Sequence, residues 1–256
     1  MLRNLVGSGW IVLLLLTGCK SFDKVFSKHG LAFTVAIDPR GDQPDIVDQA
    51  IKVTQTKLNA ARLSGEVIRD PNNPNEMLVK VYETENPDRW KKFLFTAYRL
   101  ELRKIVSPPN PSPVETYSSK ENALKAATSE QTVLPYLARE SSPGQFVIVE
   151  KSAIVDGRSI RDALAVSRRG SDYDINFSLN PEGAERFGDW TGKNIGNYLA
   201  VILDDKVISA AFIKSQIFDS GQISGRFTKE AAEDIALSLK SGYLPADLRL
   251  LDESQF

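Results

Sequence analysis

The sequence predicts an α+β protein: a ferredoxin-like βαββαβ base followed by an α+β head subdomain with a mostly antiparallel sheet. Three observations predict it. Between residues 31 and 106, period-two and helical apolar spacings succeed one another in the order β-α-β-β-α-β. Residues 107–113, SPPNPSP, hold four prolines in seven positions, a stiff spacer that marks a boundary. Beyond them come short apolar strands divided by turn residues, interrupted by two helices with clear start signals.

In the base, LAFTVAID (31–38) alternates as a strand with β-branched and aromatic residues. PDIVDQAIKVTQTKLNAARL (44–63) sets Ile46, Val47, Ala50, Ile51, Val53, Leu58 and Ala61 on one helical face, and Gly65 stops it. GEVIRD (65–70) and MLVKVYE (77–83) are strands around the turn cluster Pro71-Asn72-Asn73-Pro74-Asn75. Pro87 and Asp88 introduce a short helix over 88–95, and YRLELRKIV (98–106) alternates again through Leu100, Leu102 and Ile105. Two helices are expected on one face of a four-stranded antiparallel sheet.

In the head, Ser118 and Glu121 match a capping box for a helix over 119–127. GQFVIVEKSAIV (144–155) is strand material, Asp156 is expected to cap a helix near 159–166, and DYDINFSLN (172–180) is a strand. Asn180-Pro181 is a helix start, with Asn as cap and Pro at the first helical position. YLAVILD and KVISAAFI form a hairpin closed by Asp204-Asp205-Lys206, and SQIF and ISGRF are read as further strands. Thr228 caps the last helix, with Glu230, Glu233 and Asp234 near its positive end and Gly242 closing it. The divisions are a leader at 1–18, a tether at 19–30, the base at 31–106, the linker at 107–113, the head at 114–245, and a C-terminal strand and tail at 246–256 that returns to the base.

The leader carries one specific signal. Arg3 precedes an apolar run from Val6 to Leu16, too short for the roughly 20 residues of a spanning helix. Leu16-Thr17-Gly18-Cys19 then resembles the lipobox of bacterial lipoproteins, which implies lipid attachment at Cys19 and a membrane as partner. Two or more acyl chains anchor stably where one does not. Cys19 is the sole cysteine, so no intramolecular disulfide forms. The longest later apolar run, Tyr198 to Leu203, is strand-sized. A net charge of −1 argues against a nucleic-acid partner.

Chemistry is absent from the pattern. The single histidine, His29, lies in the tether, and one histidine with one lipidated cysteine makes no metal set. Gly192-Lys193 lacks phosphate-loop spacing. Asp204-Asp205 reads as a turn, Glu233-Asp234 as a helix start and Arg168-Arg169 as a solvated loop. No catalytic residue and no cofactor is expected. The stretch NIGNYLAVILDDKVISAAFIKSQI (194–217) is expected to build the head's sheet core, with an exposed apolar groove as the alternative.

Three segments carry a family resemblance: FSLNPEGAERF, KNIGNYLAVILDDKVISAAFI and ISGRFTKEAAEDIALSLKSGYLPADL. They resemble the head of the first extracytoplasmic domain of SecD, a membrane subunit of bacterial protein export. VIRDPNNPNEMLVKVYETENPDRWKKFLFTAYRLELR is similar to that domain's base. The resemblance covers roughly residues 31 to 251 and weakens around 107–140. SecD continues into transmembrane helices, whereas this sequence runs to Phe256, so lipid on Cys19 is expected to replace them as the anchor. The implied function is a non-catalytic, lipid-anchored module of the bacterial cell envelope, facing the periplasm or the extracellular side. It would bind unfolded preprotein or Sec translocon components and assist export. The alternative is a structural or ligand-binding envelope lipoprotein that reuses the fold.

Overall fold

In chain order the elements are β1 (Gly30–Pro39), α1 (Ile46–Ala60), β2 (Gly65–Arg69), β3 (Glu76–Tyr82), α2 (Pro87–Phe95), β4 (Leu100–Lys104), α3 (Lys120–Ala126), β5 (Gln131–Pro135), β6 (Phe146–Glu150), β7 (Val155–Asp156), β8 (Ile160–Ser167), β9 (Tyr173–Leu179), α4 (Pro181–Lys193), β10 (Tyr198–Leu203), β11 (Lys206–Phe212), β12 (Ser220–Phe227), α5 (Lys229–Ser241) and β13 (Ala246–Gln255). The computed structural model describes residues 29–39, 45–106, 116–137, 144–168, 172–244 and 246–256. The fold is mixed α+β, and every ladder between these strands is antiparallel.

The base is a four-stranded sheet in the order β13-β1-β3-β2. Alternation in β1 and β3 turns Phe33, Val35, Ile37, Met77, Val79 and Val81 to one face, all nearly inaccessible. The helical spacing of Ile46, Ala50 and Leu58 in α1 supplies the opposing layer, with Phe93 and Leu94 of α2.

The fourth base strand is a correction to the sequence reading. The strand expected at 98–106 leaves the base: β4 pairs with β10 and β7, in a sheet ordered β11-β10-β4-β7. Its place beside β1 is taken by β13, from the far end of the chain. Alternation of Leu100 and Leu102 shows that one face of the strand is buried, but does not say against which core. The boundary expected at 107–113 moves for the same reason. Residues 107–115 lie outside the described residues, and β4 before them already belongs to the head. The chain passes between base and head around 96–99 and again around 242–246.

The head adds a three-stranded sheet, β12-β9-β8, and the β5-β6 hairpin. Its main core gathers Leu100, Leu102, Ile175, Leu179, Phe187, Leu199, Val201 and Ile235. Tyr98 packs against both this core and that of the base.

Three local expectations are corrected. Residues 160–167 form β8 rather than a helix, because β9 offers their backbone a ladder, and Asp156 caps only the 3-10 turn Gly157–Ser159. Ser119, not Ser118, caps α3, its side chain accepting from the Asn122 amide. SQIF is a loop, because α4 takes up its polar groups instead of a neighbouring strand. β5 had no counterpart in the sequence reading.

Candidate binding ledge and the base–head joint

The centre of the 194–217 stretch is core: Leu199, Ala200, Val201, Ile202, Val207 and Ile213 are buried. Its margins are not. Ile195 is 55% exposed, Phe212 48% and the neighbouring Phe218 66%. Asp204 and Asp205 both take left-handed backbone, φ 46° and 62°, the turn geometry that suits the twist of a two-residue hairpin. That hairpin sets β10 against β11 so that Tyr198 meets Phe212, ring centroids 5.2 Å apart.

The loop from Ile213 to Asp219 is held as a ledge. Gly196 donates to the Ile213 carbonyl at 2.9 Å, and Ile213 donates to that of Asn197 at 3.0 Å. The Thr191 hydroxyl accepts from the Ile217 amide and donates to the Ile217 carbonyl, while Gln216 Nε2 donates to the Gly188 carbonyl. Gly192 allows this approach: a Cβ there would lie 3.3 Å from Gln216 Cδ. Ile195 and Phe212 therefore flank one end of a fixed segment, and Phe218 lies over Gly188 at the other. Large apolar side chains held on well-bonded backbone are the composition of a binding surface.

The second feature is the joint. Lys57 of α1 is 0% exposed. Its Nζ donates to the carbonyls of Phe93 at 3.2 Å, Leu94 at 3.5 Å and Thr96 at 2.5 Å, and lies within 6 Å of the Phe93 and Tyr98 ring centroids. Burial lowers its pKa to about 7, against the attraction of Asp204. Asp204 clasps the next residues: its Oδ1 accepts from the Arg99 amide at 2.8 Å, and its own amide donates to the Arg99 carbonyl. The Arg99 guanidinium reaches β13 through Asp247 at 2.6 Å. Burial raises the Tyr98 phenol to about 12, with Asp234 and Asp204 adding to the shift.

Arg89 of α2 ties the base to α5, at 2.8 Å from Asp234, 3.1 Å from Glu230 and 3.8 Å from Glu233. Burial pushes Asp234 upward, and Arg89 opposes that shift. The sequence reading gave Asp204 and Asp234 only turn and helix-start roles; their partners, about 105 and 145 positions away, left no local trace. Lys57 did leave one. Ala50, Thr54, Lys57 and Leu58 recur at the spacing of one helix face, which places the lysine on the buried side.

Of the other residues singled out, Cys19 lies outside the described residues. His29 is exposed, and its carbonyl accepts from the Glu83 amide. Among the described residues no group of three or more His, Cys, Asp or Glu side chains is placed to hold a metal ion. No helix among them is long and apolar enough to cross a membrane.

The arrangement defines a two-lobed α+β module, with the head inserted into the chain of the base and an apolar ledge on the head. Residues 131–246 match the family described as SecDF, P1 head subdomain. The chain is 34% identical over 211 residues to protein translocase subunit SecD of Koribacter versatilis (strain Ellin345), covering 81% of this chain and 38% of that protein. It is 32% identical over 210 residues to SecD of Aquifex aeolicus (strain VF5), covering 82% and 39%. It thus spans about two fifths of the length of these curated relatives. Among solved structures, SecDF in its super-membrane-facing form superposes with a TM-score of 0.69 at 24% identity, over 88% of this chain and 30% of that one. A second, of a membrane component SecDF that enhances protein export, gives 0.63 at 22% identity, over 86% and 98%.

In base as well as in head, the fold is that of the solved SecDF structures.

Proposed function

We propose that this chain is a non-catalytic, SecD-like module of protein export, held at a bacterial membrane by lipid on Cys19. It presents the Ile195–Phe212–Phe218 ledge to polypeptide or translocon components. The observation that carries the reading is the exposure of Phe212, at the end of β11 paired with β10, and of Phe218, beside the loop that α4 holds, inside the segment that matches the SecDF head. Apolar side chains on such a ledge suit extended chains that have not yet buried their own. The Cys19 anchor rests on the lipobox pattern and has its own test. Cys19→Ala should move the protein from the membrane fraction to the soluble one and abolish labelling by a fatty-acid analogue.

A photo-crosslinking residue placed at Phe212 or Phe218, activated in cells while export is stalled, tests the ledge. Adducts with precursor chains or translocon subunits are expected. Adducts only with other envelope proteins, at both positions, would favour an envelope lipoprotein that reuses the fold.

A further inference from the structure

We infer that Lys57 is a proton-responsive pin for the passage of the chain from base to head. The geometry comes first. The segment 96–99 has no ladder of its own, and the bonds that position it come from several elements, among them Lys92 of α2 and Asp247 of β13. Lys57 of α1 takes the Thr96 carbonyl, Ser238 of α5 donates to that of Ala97 at 3.4 Å, and Asp204 of the β10–β11 hairpin holds Arg99. Of these, Lys57 alone carries a titratable amine that is fully buried, and it also holds the last carbonyls of α2.

Its two protonation states are unequal. An ammonium donates three hydrogen bonds, matching the three carbonyls around it, but it is a charge removed from water. A neutral amine avoids that cost and gives up one donor. The charged and titratable groups facing it are Asp204 on the hairpin, and Arg99 and Tyr98 on the passage. Behind the Tyr98 ring lie Asp234 of α5 and Arg89 of α2. Asp204 favours the ammonium, Arg99 opposes it, and burial outweighs both.

The direction of the response follows. If the passage detaches, Lys57 reaches water and regains an ordinary lysine pKa near 10.4. The closed form, titrating at about 7, holds fewer protons than the detached form between those two values. Closure is therefore strengthened as pH rises through 7 and weakened as it falls, until both forms are protonated below about 7. Between pH 8 and pH 6 the opening equilibrium shifts toward the detached form by about tenfold. This inference rests on the joint and not on the export reading, so a failed crosslink leaves it standing.

Hydrogen exchange of the full chain tests it through the amides of Thr96, Arg99 and Asp204, which bond across or beside the passage. After correction for intrinsic exchange, their protection should be about tenfold lower at pH 6 than at pH 8. Lys57→Met should hold protection nearly constant over that range. Equal protection at both pH values in the native chain, or the same slope in Lys57→Met, would overturn the inference. Should Lys57→Met not fold, the Lys57 Cε resonance of the native chain decides. A titration near pH 7 supports the pin, and one above pH 10 refutes it.

Discussion

The base and the head begin their helices differently. Both base helices start from a left-handed residue that makes no side-chain cap: Asp45 with φ 63° for α1 and Asn86 with φ 60° for α2. All three head helices are capped by a side chain that accepts from the backbone, from Ser119, Asn180 and Thr228. Caps are local instructions, readable within four residues. The head helices are thus specified where they begin, whereas α1 depends on the face it buries and on a sheet finished by β13, and α2 has Pro87 in its first turn but no side-chain cap.

The largest test of that contrast removes a core side chain from each lobe. Phe93→Ala in the base and Phe187→Ala in the head should each cost about 3–5 kcal/mol in urea unfolding. Trp90 reports on the base and Trp190 on the head, read one at a time in Trp→Phe backgrounds. Tyr98 packs into both cores, so either substitution should shift both probes together. Separate midpoints would mean that the joint does not unite the lobes.

Arg89→Ala attacks the joint. It leaves Asp234, whose side chain is 8% exposed, without its main partner, at an expected cost of about 2–3 kcal/mol at pH 7. Burial already raises the pKa of this carboxyl. A raised carboxylate pKa means that the folded state takes up a proton more readily as pH falls. The penalty should therefore shrink in acid as Asp234 becomes neutral. Unfolding at pH 4.5 and pH 7 checks this, and a penalty constant with pH would assign Arg89 a packing role over Trp90 instead.

The caps give smaller effects. Asn180→Ala and Thr228→Ala should each cost about 1 kcal/mol. Asn86→Gly should be neutral or stabilise by up to about 1 kcal/mol, since glycine adopts positive φ without strain and no cap bond is lost. Opposite signs at Asn86 and Thr228 in thermal unfolding would sharpen the contrast; a loss at Asn86 of the same size would erase it.

The same contrast explains what was legible in the sequence. Asn180-Pro181, Thr228 and Gly242 marked their helices correctly, because each acts on its own neighbours. The centre of the 194–217 stretch was recognisable as sheet core because its apolar run and its turn are local too. The destination of β4 was not legible, since Leu100 and Leu102 would fill either core. β8 was taken for a helix because a short run such as IRDALAVS satisfies both periods until β9 is in place. At the candidate site, Phe212 and Phe218 could be named from sequence, but the placement of Phe218 depends on Thr191 and Gln216 drawing SQIF out of any sheet. The joint was hidden for a related reason: Arg99, Asp204 and Asp247 meet only after the chain has twice passed between the lobes.

That double passage has a consequence for how the molecule comes into being. β1 pairs with residues about 200 positions downstream, from Pro39 with Ala246 to Leu31 with Gln255. A chain that emerges N-terminus first has β1 and β3 available early, but the seat beside β1 stays vacant until nearly everything else has appeared. The strands of the head find their partners within the intervening sequence. Assembly of the head should therefore precede completion of the base. The newborn protein would pass through a stage with a finished upper lobe on an open-edged sheet, a waiting strand that must be kept from pairing with the wrong neighbour.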